Sequence, residues 1–436
     1  MLSEADAVVV GAGALGLSVG YHLAKLGMGR VAILDQFAAA SQTSPRAAGL
    51  FKLIQADEAR TRLAQLSVHK VTHFEQESGV PLPVVRSGSL MMARTPQHAD
   101  LVRTEAERSA AWGIGLELVD KHEANRLAPF LEPKGIQVAC HTAADVYIEE
   151  PSSLLRAYLQ AAELRGATIV PDTRVTGIRL RGNEVLGVLT DQGELATPVV
   201  VDAAGAWARR VGELAQAVVP VMPVRHQLLI TKPIDGVEAA HPILRIVDSA
   251  VYVRPARGGL MLGGFEADPL PLDIRGEDQK FSIQDVPLDV SVLHRLGAMV
   301  EVSVPALRGA PVDEHRGGLF TMTPDGQLIV GPHPIVRGFW VATGCNGSGF
   351  SLSPGIGQVL AEWIVQGAPS IDLTSCAPDR FRSRAFDDEQ LRSAGVWQYA
   401  HWAADKGPDN VERRYTSLDQ ARTKYAALFV WIDSQA

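Results

Sequence analysis

The stretch over 6–35, DAVVVGAGALGLSVGYHLAKLGMGRVAILD, restricts the fold of this chain more than any other. It opens on an apolar run, 7–10, rich in β-branched residues, which reads as a buried strand. Glycines follow at Gly11, Gly13 and Gly16, then a helical pattern over 17–26, then a second apolar run over 31–34 that ends in Asp35. Each glycine has a mechanical task. Gly11 permits the tight turn off the strand, Gly13 lets a pyrophosphate approach the backbone, and Gly16 lets helix and strand pack closely. The helix start at Ala14 and Leu15 offers free N–H groups and the positive end of the helix dipole to an anion. Asp35, 19 residues after Gly16 and followed by Gln36, sits where a carboxylate takes the two ribose hydroxyls of an adenosine. Strand, helix and terminal acid together point to a dinucleotide site; a glycine-rich turn with no ligand is the rival reading.

The chain has 436 residues, too many for one simple core, so two domains are expected. Its composition, 46% hydrophobic and 21% charged, is that of a globular protein. A net charge of −8, with no basic block, argues against a nucleic-acid surface. No apolar run reaches the roughly 18 residues of a membrane span. The first strand begins at Ala7, which leaves no room for a signal peptide. Cys140, Cys345 and Cys376 lack metal-type spacing and suggest a reducing cytoplasm, with no metal site expected.

The segment 41–52, SQTSPRAAGLFK, lies beside the first glycine turn, and its hydroxyls and backbone N–H groups suit phosphates. Helical spacing is expected over 58–78, 97–112 and 122–131, and two short strands about Gly88 over 84–93. Glu149-Glu150-Pro151-Ser152 opens a helix running to Arg165; the helix dipole explains the paired acids better than acid–base work does. A strand over 199–202 runs into Ala203-Ala204-Gly205-Ala206-Trp207, again suited to close approach of a nucleotide. A hairpin over 252–265, a helix over 289–302 and a TPDG turn within 322–330 follow. A strand over 339–342 then enters Gly344-Cys345-Asn346-Gly347-Ser348-Gly349 and a helix over 356–366. Two glycine loops far apart in sequence suggest a long ligand held at both ends. The charged, aromatic tail from Asp379 is expected to pack on the outside.

Taken together, GAGALG, the AAGL after a serine/threonine loop, VVDAAGAWA, TPDG with Gly331-Pro332, and GCNGSGF followed by SPGIG carry a resemblance. The chain resembles the FAD-dependent amine oxidoreductases of the glycine oxidase, sarcosine oxidase and dimethylglycine dehydrogenase group over nearly its whole length. The resemblance implies an α/β fold: a Rossmann-like FAD-binding domain of the glutathione-reductase type, with an interleaved α+β substrate domain built on a mixed β-sheet. It divides the chain into an FAD domain (1–80, 150–218 and 320–376), a substrate domain (81–149 and 219–319) and a C-terminal helical tail (377–436). Implied cofactor contacts begin with Gly11, Gly13, Ala14, Leu15, Gly16, Asp35 and Gln36, and continue through Ser41, Thr43, Arg46, Ala47, Ala48, Gly49 and Leu50. Val175, Ala204, Gly205, Trp207 and Asp325 follow, then Gly344, Asn346, Gly347, Ser348, Gly349 and Phe350 in the late loop.

Within the group, the arginine that glycine and D-amino-acid oxidases place before the TPDG-like turn is replaced by Leu319-Phe320-Thr321. Gly318 stands for the flavin-linking cysteine of monomeric sarcosine oxidases, Ser351 for their carboxylate lysine, and Met261 for their oxygen-activating lysine. The dimethylglycine oxidase and dehydrogenase branch fits better, with His226-Gln227 and Tyr252 at matching places. Its flavin-bearing histidine is Arg46 here, so FAD is expected to be non-covalent with Arg46 as a positive group near the isoalloxazine. That branch usually continues into a folate-binding domain, whereas this chain stops at 436, after a tail resembling the end of the flavin module.

Oxidising a C–N bond beside a carboxylate needs a neutral amine, hence a base or a site that lowers the ammonium pKa. His226, with an ordinary pKa near working pH, is the expected base, and Tyr252 is expected to orient it or bind the substrate carboxylate. Lys52, Arg225 and Arg254 are the carboxylate candidates, and Met261 and Phe320 are expected to line the substrate. The expected reaction is oxidative N-demethylation of a small N-methyl amino acid such as sarcosine or dimethylglycine, with oxygen or an electron-transfer partner as acceptor. Met261 favours a dehydrogenase over an oxidase. The alternatives are a D-amino-acid or cyclic imino-acid dehydrogenase, and the flavin subunit of a heteromeric enzyme; a homo-oligomer or partner subunit is compatible with each.

Overall fold

The computed structural model describes residues 2–278, 280–384 and 386–401. The strand Ala7–Val10 lies inside a six-stranded sheet with every residue buried. The strand order is Ile329–Pro332, Phe339–Thr343, Val200–Asp202, Ala7–Val10, Val31–Leu34, Thr168–Val170. All pairs are parallel except the first, where the chain doubles back. Strands covered on both faces read as unbroken apolar runs, as VVV and VAIL do. Successive residues still serve opposite sides. Ala7, Val9, Val31 and Ile33 pack with the helices Ala14–Lys25, Ser152–Leu164 and Gly349–Gln366. Val8, Val10, Ala32 and Leu34 instead meet the helix Ala208–Leu214 and an antiparallel sheet of Val175–Arg181, Glu184–Thr190 and Gly193–Ala196.

The second large sheet has eight strands in the order Val312–Met322, Met222–Thr231, Gly259–Gly264, Val251–Ala256, Ile243–Ile246, Ser89–Ala93, Val138–Thr142, Glu117–Val119. It is mixed: only Ile243–Ile246 and Ser89–Ala93 run parallel. Leu229, Leu244, Val253 and Leu262 project to one face, which the helices Lys121–Leu127 and Val290–Val300 cover. The residues between them in each strand project to the other face, toward the six-stranded sheet. That face decides the site. The strand Val312–Met322 crosses the expected boundary at 319/320 as one continuous element of this sheet.

Two local expectations are corrected. Gly88, with φ +69, starts the single strand Ser89–Ala93, and before it only Val85 makes an isolated bridge, to Tyr147. The tail does not merely lie outside. Its helix Asp388–Ala400 is closed at the N-terminus by a capping box of Asp387 and Gln390, and it buries Leu391, Trp397 and Tyr399. Residues 402–436 of the expected tail lie outside the described residues. The paired acids do serve structure: Glu149 accepts from the Arg257 amide at 2.6 Å, and Glu150 meets the Arg257 guanidinium at 2.6 Å.

Candidate functional site

A cavity of about 430 Å³ runs between the two sheets. At one end its wall is mostly backbone. Gly11 turns off the first strand with φ +108, and a Cβ there would meet the Ala203 carbonyl oxygen at 2.5 Å. Gly16 does not reach the cavity; a Cβ on it would lie 1.7 Å from the Gly11 carbonyl oxygen, so it brings the helix against the strand. Gly13, Ala14 and Leu15 line the cavity at the helix start. The Ala14 amide there donates to Ser44 Oγ at 3.0 Å. The Asp35 carboxylate accepts from the Ala12 amide at 2.7 Å and the Phe37 amide at 2.9 Å; burial nevertheless raises its pKa, the two amides partly opposing this.

The other walls of this end include Gln36, Thr43, Arg46 and the backbone of Ala47, Ala48, Gly49 and Leu50. Across from them stand Val175, Ala204, Gly205 and Trp207, and from the late loop Asn346, Gly347, Ser348, Gly349 and Phe350. The Arg46 guanidinium donates to the carbonyls of Ser41, at 2.6 Å, and Gln42. Burial, and then the neighbouring Arg316, pull its pKa down. Besides Gly16, three expected contacts fall elsewhere. Ser41 is off the cavity wall, while Ser44, three residues on, accepts from the Ala14 amide at the helix start. Asp325 pairs with Arg380 at 2.7 Å and shapes the TPDG turn. Gly344 supports the loop from behind, where a Cβ would meet Thr323 Cγ2 at 2.5 Å. The Asn346 side chain is a turn element, accepting from the Thr323 amide at 3.0 Å and donating to the Gly344 carbonyl at 2.7 Å.

At the far end the wall is made of side chains from the eight-stranded sheet. His226 is buried, with Nε2 3.0 Å from the Tyr252 hydroxyl and Nδ1 2.8 Å from the hydroxyl of Tyr399, on the tail helix. Phe320 stacks on its ring at 4.2 Å between centroids. Burial lowers the His226 pKa to about 3, so the ring is neutral at physiological pH and not the ready base its type suggested. A neutral imidazole has one donor and one acceptor, so one tyrosine hydroxyl donates a hydrogen bond to the ring and the other accepts one from it. Gly263 makes room for this arrangement: it pairs with Tyr252 in the sheet, and a Cβ on it would meet the phenol oxygen at 2.2 Å.

The expected carboxylate ligands separate by strand geometry. Arg225 precedes His226 by one residue in the same strand and therefore points to the opposite face. It donates to the Pro287 carbonyl at 2.7 Å and pairs with Glu266 at 3.4 Å, away from the cavity. Arg254 shares the face of Tyr252 but is fully buried under the 47–50 loop. It donates to the carbonyls of Ala48 at 2.8 Å, Glu149 at 3.0 Å and Pro255 at 2.6 Å. Met261 lines nothing: it packs fully buried with Leu228, Ile230 and Ala256 beneath Ala48. Lys52 does reach the cavity, pairs with Glu105 at 3.0 Å and has its pKa lowered by burial and by Arg245. Arg245, Arg108 and Asp145 line the same end and had no local signal in the sequence.

The arrangement fits an elongated dinucleotide cofactor: a phosphate-ready helix start at one end, and an aromatic, neutral-histidine chamber at the other. Among the described residues there is no cluster able to hold a metal ion and no helix long and apolar enough to cross a membrane.

Comparisons with known proteins agree with this reading. Mitochondrial sarcosine dehydrogenase of Mus musculus is 29% identical over 420 residues, covering 95% of this chain and 44% of that protein. Mitochondrial dimethylglycine dehydrogenase of Homo sapiens is 30% identical over 398 residues, covering 87% of this chain and 44% of that protein. The chain therefore spans less than half the length of these two relatives. The solved L-proline dehydrogenase of P. horikoshii shares the fold, with a TM-score of 0.79 at 24% identity over 88% of this chain and 99% of that one. The family model for FAD dependent oxidoreductases, DAO, matches residues 6–363, and the chain belongs to that family.

Proposed function

We propose that this protein oxidises the C–N bond of a small N-substituted amino acid, such as sarcosine or dimethylglycine, with non-covalently bound FAD. The observation that carries the reading is the neutral His226 held between Tyr252 and Tyr399 on the cavity wall. Such a pair of polar groups in an apolar chamber binds and orients a neutral amine, because burial there disfavours an ammonium as it disfavours an imidazolium. The likeness to sarcosine and dimethylglycine dehydrogenases supports the substrate class.

In the bound state FAD supplies the acceptor for the hydride that leaves the carbon beside the amine nitrogen. The chain's own residues do the rest. The glycine turn of Gly11 and Gly13 at the helix start would cradle the pyrophosphate, Asp35 would take the ribose, and the 47–50 loop, pinned from below by Arg254, would back the ring system. Arg46 places positive charge on that wall, and a guanidinium does not form the covalent flavin link. His226 and Tyr252 hold the amine with its lone pair free, and Phe320 and Phe265 exclude water. The product imine hydrolyses, giving formaldehyde where a methyl group was oxidised. With Met261 buried under Ala48, we read the enzyme as a dehydrogenase whose electrons pass to a partner. The three buried free cysteines fit a reducing compartment such as the cytoplasm.

The test is anaerobic titration of the yellow holoprotein with sarcosine, dimethylglycine, proline and D-alanine, followed by air. Bleaching by an N-methyl amino acid with release of formaldehyde is expected, with slow recolouring in air. Bleaching by D-alanine or proline alone overturns the substrate class, and flavin retained in an acid pellet overturns the non-covalent assignment.

A further inference from the structure

We propose that Tyr399 is a positioning residue that fixes the direction of the hydrogen-bond chain Tyr399–His226–Tyr252, so that His226 carries its proton on Nε2 and Tyr252 turns its own hydroxyl proton into the cavity. This rests on the reading above and deepens it, because the direction decides which atoms of the substrate the site takes. The ring alone allows either direction: Nδ1 lies 2.8 Å from the Tyr399 hydroxyl, and Nε2 lies 3.0 Å from the Tyr252 hydroxyl. A neutral imidazole donates through one nitrogen and accepts through the other, whereas each phenol can do both. The choice therefore falls to the surroundings of the two phenols, and these differ.

Tyr399 is 1% exposed and stands behind the wall, whereas Tyr252 lines the cavity. The rings of Phe265 and Phe320 flank Tyr399, at 5.0 and 6.3 Å between centroids, and offer its hydroxyl no acceptor. The backbone amide of Glu266 donates to the phenol oxygen, and the Glu266 carboxylate is turned to Arg225 at 3.4 Å. Among the described residues, the Tyr399 hydroxyl thus has one acceptor within reach, His226 Nδ1. A chain running the other way would leave the Tyr399 proton buried without an acceptor, and is disfavoured by roughly 10–100-fold. The Tyr252 proton meets no such difficulty, since a ligand or water in the cavity accepts it. Burial raises the pKa of both phenols, so both keep the proton that this direction requires. The chain runs from the Glu266 amide through Tyr399 and His226 to Tyr252. His226 has no free acceptor and takes no proton from the substrate. The Tyr252 oxygen has two lone pairs, one filled by His226 Nε2–H and one left for an amine N–H, while its own proton goes to an acceptor oxygen of the substrate. The amine nitrogen then keeps its lone pair.

The experiment reads the tautomer directly, by NMR of the holoprotein with isotope-labelled histidine ring nitrogens. The chain has 12 histidines, and the ring signals that vanish in His226→Gln are those of His226. An Nε2–H ring is expected. Tyr399→Phe removes the donor at Nδ1 and is expected to leave both tautomers populated. Tyr252→Phe, at the other end of the chain, is expected to keep the Nε2–H form and to raise KM for an N-methyl amino acid by roughly 10–100-fold, with flavin content unchanged. Mere loss of structure does not produce that asymmetry. An Nδ1–H ring in the wild type, a tautomer that changes in Tyr252→Phe and not in Tyr399→Phe, or an unchanged KM in Tyr252→Phe overturns the proposal. The tautomer is read without substrate. A protein with an Nε2–H ring that no N-methyl amino acid bleaches therefore overturns the proposed function and leaves the direction of the chain standing.

Discussion

The two ends of the cavity meet their ligand in different ways. At the helix start the wall is backbone: the turn at Gly11, the amide of Ala14, the 47–50 loop and the 346–349 loop. At the sheet end it is side chain: His226, Tyr252, Arg245 and Phe320 from four different strands, with Tyr399, from a helix, hydrogen-bonded to His226 behind the wall. A backbone wall tolerates almost any residue that is small enough, and fails abruptly where one is not. A side-chain wall is adjustable by single groups. The first end suits a cofactor that does not change, and the second a substrate on which specificity is set.

The largest effect is expected where the packing behind the backbone wall leaves no room. Gly16→Ala puts a methyl 1.7 Å from the Gly11 carbonyl oxygen and is expected to cost more than about 4 kcal/mol, with loss of flavin from the purified protein. A fully flavin-loaded variant with wild-type melting would erase the distinction between the two ends. Next comes the support of the 47–50 loop. Arg254→Met leaves the Ala48 and Glu149 carbonyls without their donor and is expected to lower stability by about 3 kcal/mol, read in denaturant melts, and to weaken flavin binding.

The side-chain end should answer in smaller steps. His226 has a pKa of about 3 in the folded protein against 6.5 when exposed. Between those values the unfolded chain binds a proton that the folded chain refuses. Stability contributed by the neutral ring is therefore present above about pH 6.5 and is lost as pH falls toward 3, by at most about 1.4 kcal/mol per pH unit. Urea melts across that window should flatten in His226→Gln; an unchanged slope would show that His226 is not the residue that titrates. Tyr399→Phe removes one of the two partners that fix the imidazole tautomer. It is expected to cost about 1 kcal/mol in melts and to lower kcat about tenfold with little change in flavin content. The smallest effect is expected from Ser44→Ala, about 1 kcal/mol or less, because water replaces the hydroxyl at Ala14.

What was legible in the sequence was local. Gly11, Gly13, Gly16 and Asp35 lie within one strand–helix–strand unit, where spacing along the chain dictates spacing in space. The hairpin was legible for the same reason: Arg257 and Gly258, with φ +52 and +77, turn Val251–Ala256 directly into Gly259–Gly264. Ser41 in place of Ser44 is a local error of three residues in a loop whose hydroxyls look alike from the sequence. The pairing of His226 with Tyr252 was expected from resemblance, and the geometry brings the two within 3.0 Å.

The sequence by itself determined the six-stranded sheet's apolar runs, the glycine turn that approaches an anion, and the family these belong to, because each depends on neighbours in the chain. Only the tertiary structure decided the far end of the cavity. Strand alternation turned Arg225 away, close packing under the loop consumed Arg254 and sealed Met261, and sheet register set Arg245 beside Tyr252. Tyr399, 173 residues from His226 along the chain, became its partner only because the tail helix docks against that sheet. Burial then moved the histidine pKa far from its ordinary value. None of these has a local signature, since each follows from which distant groups share a face and how much water they lose.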